Sequence, residues 1–249
     1  MLSDAHCHLD GSQSLALLQQ EHTILTIINC DSPEEWEKNR RLATSKNQVL
    51  SYGIHPWKAD SYTFAQVELF LKKARIIGEI GLDNIWTNVP LSTQKRVFEQ
   101  QLAFAAINKK PVVLHTKGCE KEILSYIQAY PNHYLIHWYS SLDYQQDYID
   151  LGCYFSIGLD LKKNPAVWQL AKTVPIDHLL IETDGLHAAE WALGDSFSEK
   201  DYVLLLEEQL KTIAEIKELS VEEVKKNTYQ NLERFIRLGN ANCKIKLEK

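Results

Sequence analysis

The chain has 249 residues, 45% hydrophobic and 24% charged, with 10 Gly and 7 Pro, a composition that excludes disordered, collagen-like and low-complexity chains. Its 27 basic and 33 acidic side chains leave a net charge of -6, so nothing global draws it to nucleic acid or an anionic membrane, and a phosphate-bearing partner needs a local site. The five cysteines are odd in number and widely spaced, without the CxxC pairs of a zinc ribbon, and fit a reducing compartment.

In chain order, the first apolar run is Leu2 to His6, and Asp4, His6 and His8 stand where a signal peptide needs basic and then apolar residues. No later run approaches ~18 continuous apolar residues, so the expected location is the cytoplasm, with no membrane partner. Thr23 to Cys30 (TILTIINC) reads as a strand, and Asp31-Ser32-Pro33 after it as a helix start. Further strands are expected at Val49 to Ile54, Arg75 to Ile80, Val112 to His115, Tyr134 to His137, Cys153 to Ile157 and His178 to Glu182. Between them, Leu91 to Asn108 reads as a helix, with Phe98, Leu102, Ala105 and Ala106 at helical spacing, and Asp201 to Glu218 reads likewise.

Eight strand-helix units point to the α/β class and a single (β/α)8 TIM barrel. An open doubly wound sheet usually carries a glycine-rich loop after its first strand, where this chain has HCHLDG. One barrel domain is expected over residues 1–240, with 241–249 (ANCKIKLEK) as a C-terminal tail.

The chemistry-bearing residues fall at strand ends. His6 and His8 share a face through the strand period of two. Glu79 (IIGEIGLD), His115 (VVLH), His137 (YLIH) and Asp184 (LLIETD) close four further runs. In a parallel barrel these ends form one rim, which carries the active site. Four histidines and two carboxylates exceed the needs of one tetrahedral ion, whereas two divalent ions ~3.5 to 4 Å apart, sharing a bridging carboxylate, use them all. Nitrogen and oxygen ligands suit Zn, Mn, Co or Ni, with Mg at the more carboxylate-rich position. The reaction class is metal-assisted hydrolysis.

These motifs resemble the TatD-type metal-dependent deoxyribonucleases, within the amidohydrolase-like barrels. The resemblance runs through DAHCHLD (Asp4 to Asp10), GIHP (Gly53 to Pro56), IGEIGLD (Ile77 to Asp83), the QxxxF helix (Gln94 to Phe98), PVVLHTK (Pro111 to Lys117), ETD (Glu182 to Asp184) and NxxxNxxRF (Asn227 to Phe235). It implies that His6, His8, Glu79 and Asp184 hold one metal and Glu79, His115 and His137 the other. Glu79 bridges, and Asp184 also orients or deprotonates the attacking water. Two stretches depart from the family: Trp138-Tyr139-Ser140-Ser141 after His137, and Gly185-Leu186-His187 after Asp184.

His55 is expected beside the site, in contact with substrate or water, and Lys117 as a point charge for phosphate. His22, His133 and His178 precede strands and are expected away from the rim. Trp57, Trp86, Trp138 and Trp191, four of the six tryptophans, follow presumed strand ends, and the first three are assigned to base stacking. The expected activity is phosphodiester hydrolysis from a 3′ end, on single-stranded or frayed DNA. Two other readings stand beside it. One is a small-molecule amidohydrolase; such relatives often bridge their metals with a carboxylated lysine where this chain has Glu79. The other is a weakly active barrel subunit of a larger assembly, for example in anti-phage defence.

Overall fold

The structure, a computed structural model, describes residues 1–239, so the expected tail and Cys243 lie outside the described residues. Strands and helices alternate: β1 (Ser3–Cys7), α1 (Gln13–Glu21), β2 (Leu25–Cys30), α2 (Pro33–Leu42), β3 (Gln48–Tyr52), α3 (Phe64–Lys73), β4 (Ile76–Asp83) and α4 (Leu91–Asn108) form the first half. The second comprises β5 (Val112–Lys117), α5 (Glu120–Ala129), β6 (Tyr134–Ile136), α6 (Gln145–Asp150), β7 (Tyr154–Ile157), α7 (Pro165–Thr173), β8 (Leu179–Ile181), α8 (Leu186–Leu193), α9 (Tyr202–Lys217) and α10 (Val221–Leu238). The eight strands pair in parallel in chain order, the arrangement of a (β/α)8 barrel.

Local signals account for many of the boundaries. Ser32 caps α2, its hydroxyl accepting from the Glu35 N–H at 3.2 Å, and Pro33 occupies the first helical position, where no N–H is needed. Thr23 does not join β2 as expected, because it sits at φ 55° in the turn closing α1, where its N–H and that of Ile24 bond back to Gln20 and Gln19. β4 runs three residues past Ile80, paired with β5 through Leu82 and Asp83.

The seam between β8 and β1 closes through a backbone bond and a side chain. The Asp184 N–H donates to the His6 carbonyl at 2.9 Å, while Asp4 accepts the Thr183 N–H at 3.1 Å and its hydroxyl at 2.6 Å. α10 plugs the N-terminal end of the barrel. Leu232, Phe235 and Ile236 pack with Ala5, Ile27, Ile76, Val113, Leu135 and Leu180, and the Asn231 amide donates to the Ile176 and Leu179 carbonyls at the start of β8. The opposite, C-terminal end is left for function. No described helix is long and apolar enough to cross a membrane.

Candidate active site

Two register shifts aim the first site residues: pairing slips between Asp4 and Cys7 in β1 and between Ile77 and Ile80 in β4. A bulge turns a side chain out of strict alternation. Asp4 is thereby committed to the seam and to the Tyr202 hydroxyl on α9 (2.7 Å), while His6, two residues on, reaches Glu79.

Glu79 is the hub. Its Oε2 lies 3.3 Å from His6 Nε2 and 3.8 Å from His8 Nε2, and its Oε1 lies 2.6 Å from His115 Nδ1, 2.9 Å from His137 Nε2 and 3.4 Å from His55 Nε2. Asp184 completes the first side, its Oδ1 3.3 Å from His6 Nε2 and 3.7 Å from His8 Nε2. The structure therefore brings all six expected ligands together and sets His55 among them. Three overlapping triads, His6/His8/Glu79, His6/His137/Asp184 and His55/Glu79/His115, each offer ligand atoms within 4.8 Å of one another. His22 and His133 are exposed and His178 is half-buried, bonded to Asp177.

This donor set fits divalent metal. The ring nitrogens of His6 and His8 face each other at 3.3 Å, as do those of His55 and His115. Lone pairs converging in a buried space require positive charge between them, supplied by protons or by a cation. Burial works against charge throughout, yet the carboxylates win: His8 is raised well above its ordinary pKa by Glu35 and Glu79, and His137 is pushed up to about 10 by Glu79 and Glu182. Despite the same desolvation, the imidazoles His137, His55, His6 and His115 hold Glu79 well below the usual carboxylate range, and His6 brings Asp184 to about 2. His55 moves the other way, lowered by burial.

Outer carboxylates fix the rings. Asp83 Oδ2 meets His115 Nε2 at 2.9 Å, and Glu182 Oε2 meets His137 Nδ1 at 3.3 Å, so the nitrogens facing Glu79 are Nδ1 of His115 and Nε2 of His137. Glu35 Oε1 stands 3.9 Å from His8 Nδ1. Asp83 also accepts the Trp57 indole N–H (2.6 Å) and the Ile85 and Trp86 backbone N–H groups (both 2.8 Å). Behind these, buried glutamines clamp the strand ends. Gln94 binds the Asp83 N–H and carbonyl, Gln101 does the same for Ile54, and Gln209 donates to the Ile157 and Glu182 carbonyls. The sequence reading missed these supporting roles. Asp83, Glu182 and Gln94 stood inside quoted motifs, whereas Glu35 carried no signal.

The expected substrate contacts divide. Trp57 is 50% exposed and Trp86 56% exposed, both open to a ligand. Trp138 corrects its expected role as a stacking platform. It is only 5% exposed, its indole N–H donates to Asp160 at 2.7 Å, and its ring lies so close over Gly158 that a Cβ there would meet it at 2.3 Å. Lys117 reaches across the rim to the Trp138 carbonyl (2.6 Å) and Ser140 hydroxyl (3.1 Å), which leaves one of its three donors without a partner among the described residues.

A parallel barrel whose C-terminal rim gathers histidines and carboxylates around one shared glutamate has the architecture of a barrel metallohydrolase. The family model for TatD-related DNases matches residues 3–237, and the chain belongs to that family, whose relatives bear the name metal-dependent hydrolase. One of them, the uncharacterized metal-dependent hydrolase YabD of Bacillus subtilis, is 25% identical over 96% of this chain and 100% of its own length. The human 3′-5′ RNA nuclease TATDN2 is 26% identical over 86% of this chain and 32% of that protein. Among solved structures, the TatD homolog YJJV of Escherichia coli K12 superposes with a TM-score of 0.80 at 18% identity, covering 94% of this chain and 97% of the other, a likeness of fold.

Proposed function

We propose that this metal-dependent hydrolase is a phosphodiesterase that removes nucleotides from a free 3′ end of single-stranded or frayed DNA, using two divalent ions. The observation that carries the reading is the division of the Glu79 oxygens, one toward His6 and His8 and the other toward His115 and His137. Such a carboxylate suits a bridging role; His6, His8 and Asp184 would help hold one ion and His115 and His137 the other. Ions bound there would supply the Lewis acidity that polarises a phosphoryl oxygen and acidifies water toward a pKa of ~7.

The protein's own part follows from exposure. Side chains of His6, Glu79, His115 and His137 are 0 to 7% exposed, whereas His8 and Asp184 are 24% and 22% exposed. Substrate and water therefore approach over His8 and Asp184, and Asp184, ionised at neutral pH, orients the water and takes its proton. Glu79, a carboxylate where some barrel hydrolases use a carboxylated lysine, favours the nuclease reading over the small-amide one. The activity named for the human relative extends the candidate substrates to RNA.

The test is to load the protein with Zn, Mn, Co, Ni or Mg. It is then incubated with 5′-labelled single-stranded DNA, blunt duplex, closed circles, RNA and small ester and amide substrates. The expected result is stepwise shortening of the single strand from its 3′ end, faster than blunt duplex, with shallow salt dependence. Nicking of closed circles without attack on a free end overturns the exonuclease reading. Hydrolysis of small amides alone overturns the nuclease reading.

A further inference from the structure

The four rim tryptophans are of two kinds. Trp57 and Trp138 spend their indole N–H groups on Asp83 and Asp160, at 2.6 and 2.7 Å. Trp86 and Trp191 spend theirs on no partner among the described residues, and they are 56% and 64% exposed. Their rings stand at 90° with centroids 5.9 Å apart, forming a corner.

The corner is tied to the metal-ligating cluster from both sides. The Trp86 N–H donates to Asp83, which holds His115, and Trp191 rests against Trp138 (6.0 Å, 66°), the residue after His137. Its walls are also preorganised. α8, which carries Trp191, starts directly after Asp184 and Gly185. Gly185 adopts φ 88°, and a Cβ there would meet the His8 carbonyl at 2.7 Å. At the other end of α8, Lys163 donates to the Ala192 and Leu193 carbonyls at 3.1 and 2.5 Å.

We propose that Trp86 and Trp191 form the subsite that stacks the nucleobase of the nucleotide beside the scissile phosphate, an inference that rests on the phosphodiesterase reading above. Two perpendicular indoles cannot sandwich a ring. They hold one flat group, face against one indole and edge against the other, an arrangement aromatic rings favour. A base tethered to the phosphate at the cluster meets that description. Because every base has a π-face, the subsite is tolerant of sequence. It also works without a basic surface, in keeping with a net charge of -6.

The test uses two labelled single-stranded oligonucleotides, one intact and one abasic at its last two 3′ positions. Cleavage by the metal-loaded protein and binding to the metal-free protein, by fluorescence anisotropy, are measured for wild type, Trp86→Ala, Trp191→Ala, Trp191→Phe and Trp168→Ala. The wild type is expected to prefer the intact strand by about fivefold to a hundredfold in kcat/KM, the range of one base–aromatic stack. Either alanine variant should bring that ratio toward one, Trp191→Phe should restore much of it, and Trp168→Ala, on α7, should match wild type. A wild-type ratio of one, or alanine variants that keep the wild-type ratio and affinity, overturns the subsite and leaves the phosphodiesterase reading intact. If neither strand is cut, the phosphodiesterase reading falls, and equal anisotropy affinities for the two strands overturn the subsite independently.

Discussion

Replacing Asp83 with Asn keeps the shape of a side chain that accepts from four donors. Trp57 Nε1 and His115 Nε2 meet one oxygen, and the Ile85 and Trp86 N–H groups meet the other. Burial opposes a charge here, but these donors hold Asp83 well below the usual carboxylate range. An amide accepts at one end only, so either rotamer leaves two donors facing an NH2 group. Hydrogen bonds to charged groups contribute ~1.5 to 3 kcal/mol each. Trp57 is half exposed and regains water, so the loss should lie near the lower end, about 3 kcal/mol. For a domain of this size that corresponds to a Tm lower by roughly 6 to 12 °C. The metal is affected separately. The Ile85 and Trp86 backbone N–H groups can only donate and so keep the amide oxygen, which turns the NH2 group toward His115; to accept from it, His115 must carry its proton on Nδ1, the nitrogen 2.6 Å from Glu79 and the expected ligand atom. Metal affinity should fall ~10- to 100-fold, as it does on loss of other outer-shell partners. Cobalt titration followed by absorbance, beside thermal denaturation of the metal-free protein, separates the two effects. Wild-type metal affinity in Asp83→Asn would refute the argument that this carboxylate sets the His115 tautomer.

Glu79→Gln keeps volume but offers one acceptor to two groups of imidazoles, so metal content by elemental analysis and turnover should fall together, by ~100-fold or more in affinity, with far-UV circular dichroism unchanged; wild-type metal content would contradict the bridging role. Asp184→Asn should lower kcat more than metal content, because the residue serves one side of the cluster and faces solvent; an equal loss of both would make it a ligand only. Asp4 is raised to about 7 by burial, against the hydrogen bonds from Thr183, Tyr202 and His6 that favour its charge. The native state thus binds a proton between about pH 4 and pH 7 that the unfolded chain releases, and the contribution of Asp4 to stability falls as pH rises through that window. Asp4→Asn, which imitates the protonated form, should gain on wild type over the same window in urea titrations, and a pH-independent difference would contradict the shift.

What the sequence determines alone is what local periodicity carries. Apolar runs closed by His115, His137 and Glu182-Thr183-Asp184 mark the strand ends, alternation sets His6 beside His8, and the apolar spacing of Leu91 to Asn108 yields a helix with those bounds. Parallel closure then requires those ends to share a rim, which is why the expected ligands meet. The tertiary structure decided the rest, because the partners are remote in the chain. Asp4 meets Thr183 across 179 residues, and Glu182 meets His137 across 45. The bulges that separate Asp4 from His6 depend on pairing with a neighbouring strand. Exposure is likewise collective: Trp86 and Trp138 both follow strand ends, but Gly158 and Asp160 bury Trp138, while Trp86 stays 56% exposed. A side chain's residue type states which interactions it can make, and only the closed barrel determines which of them are already satisfied and which remain open to a ligand.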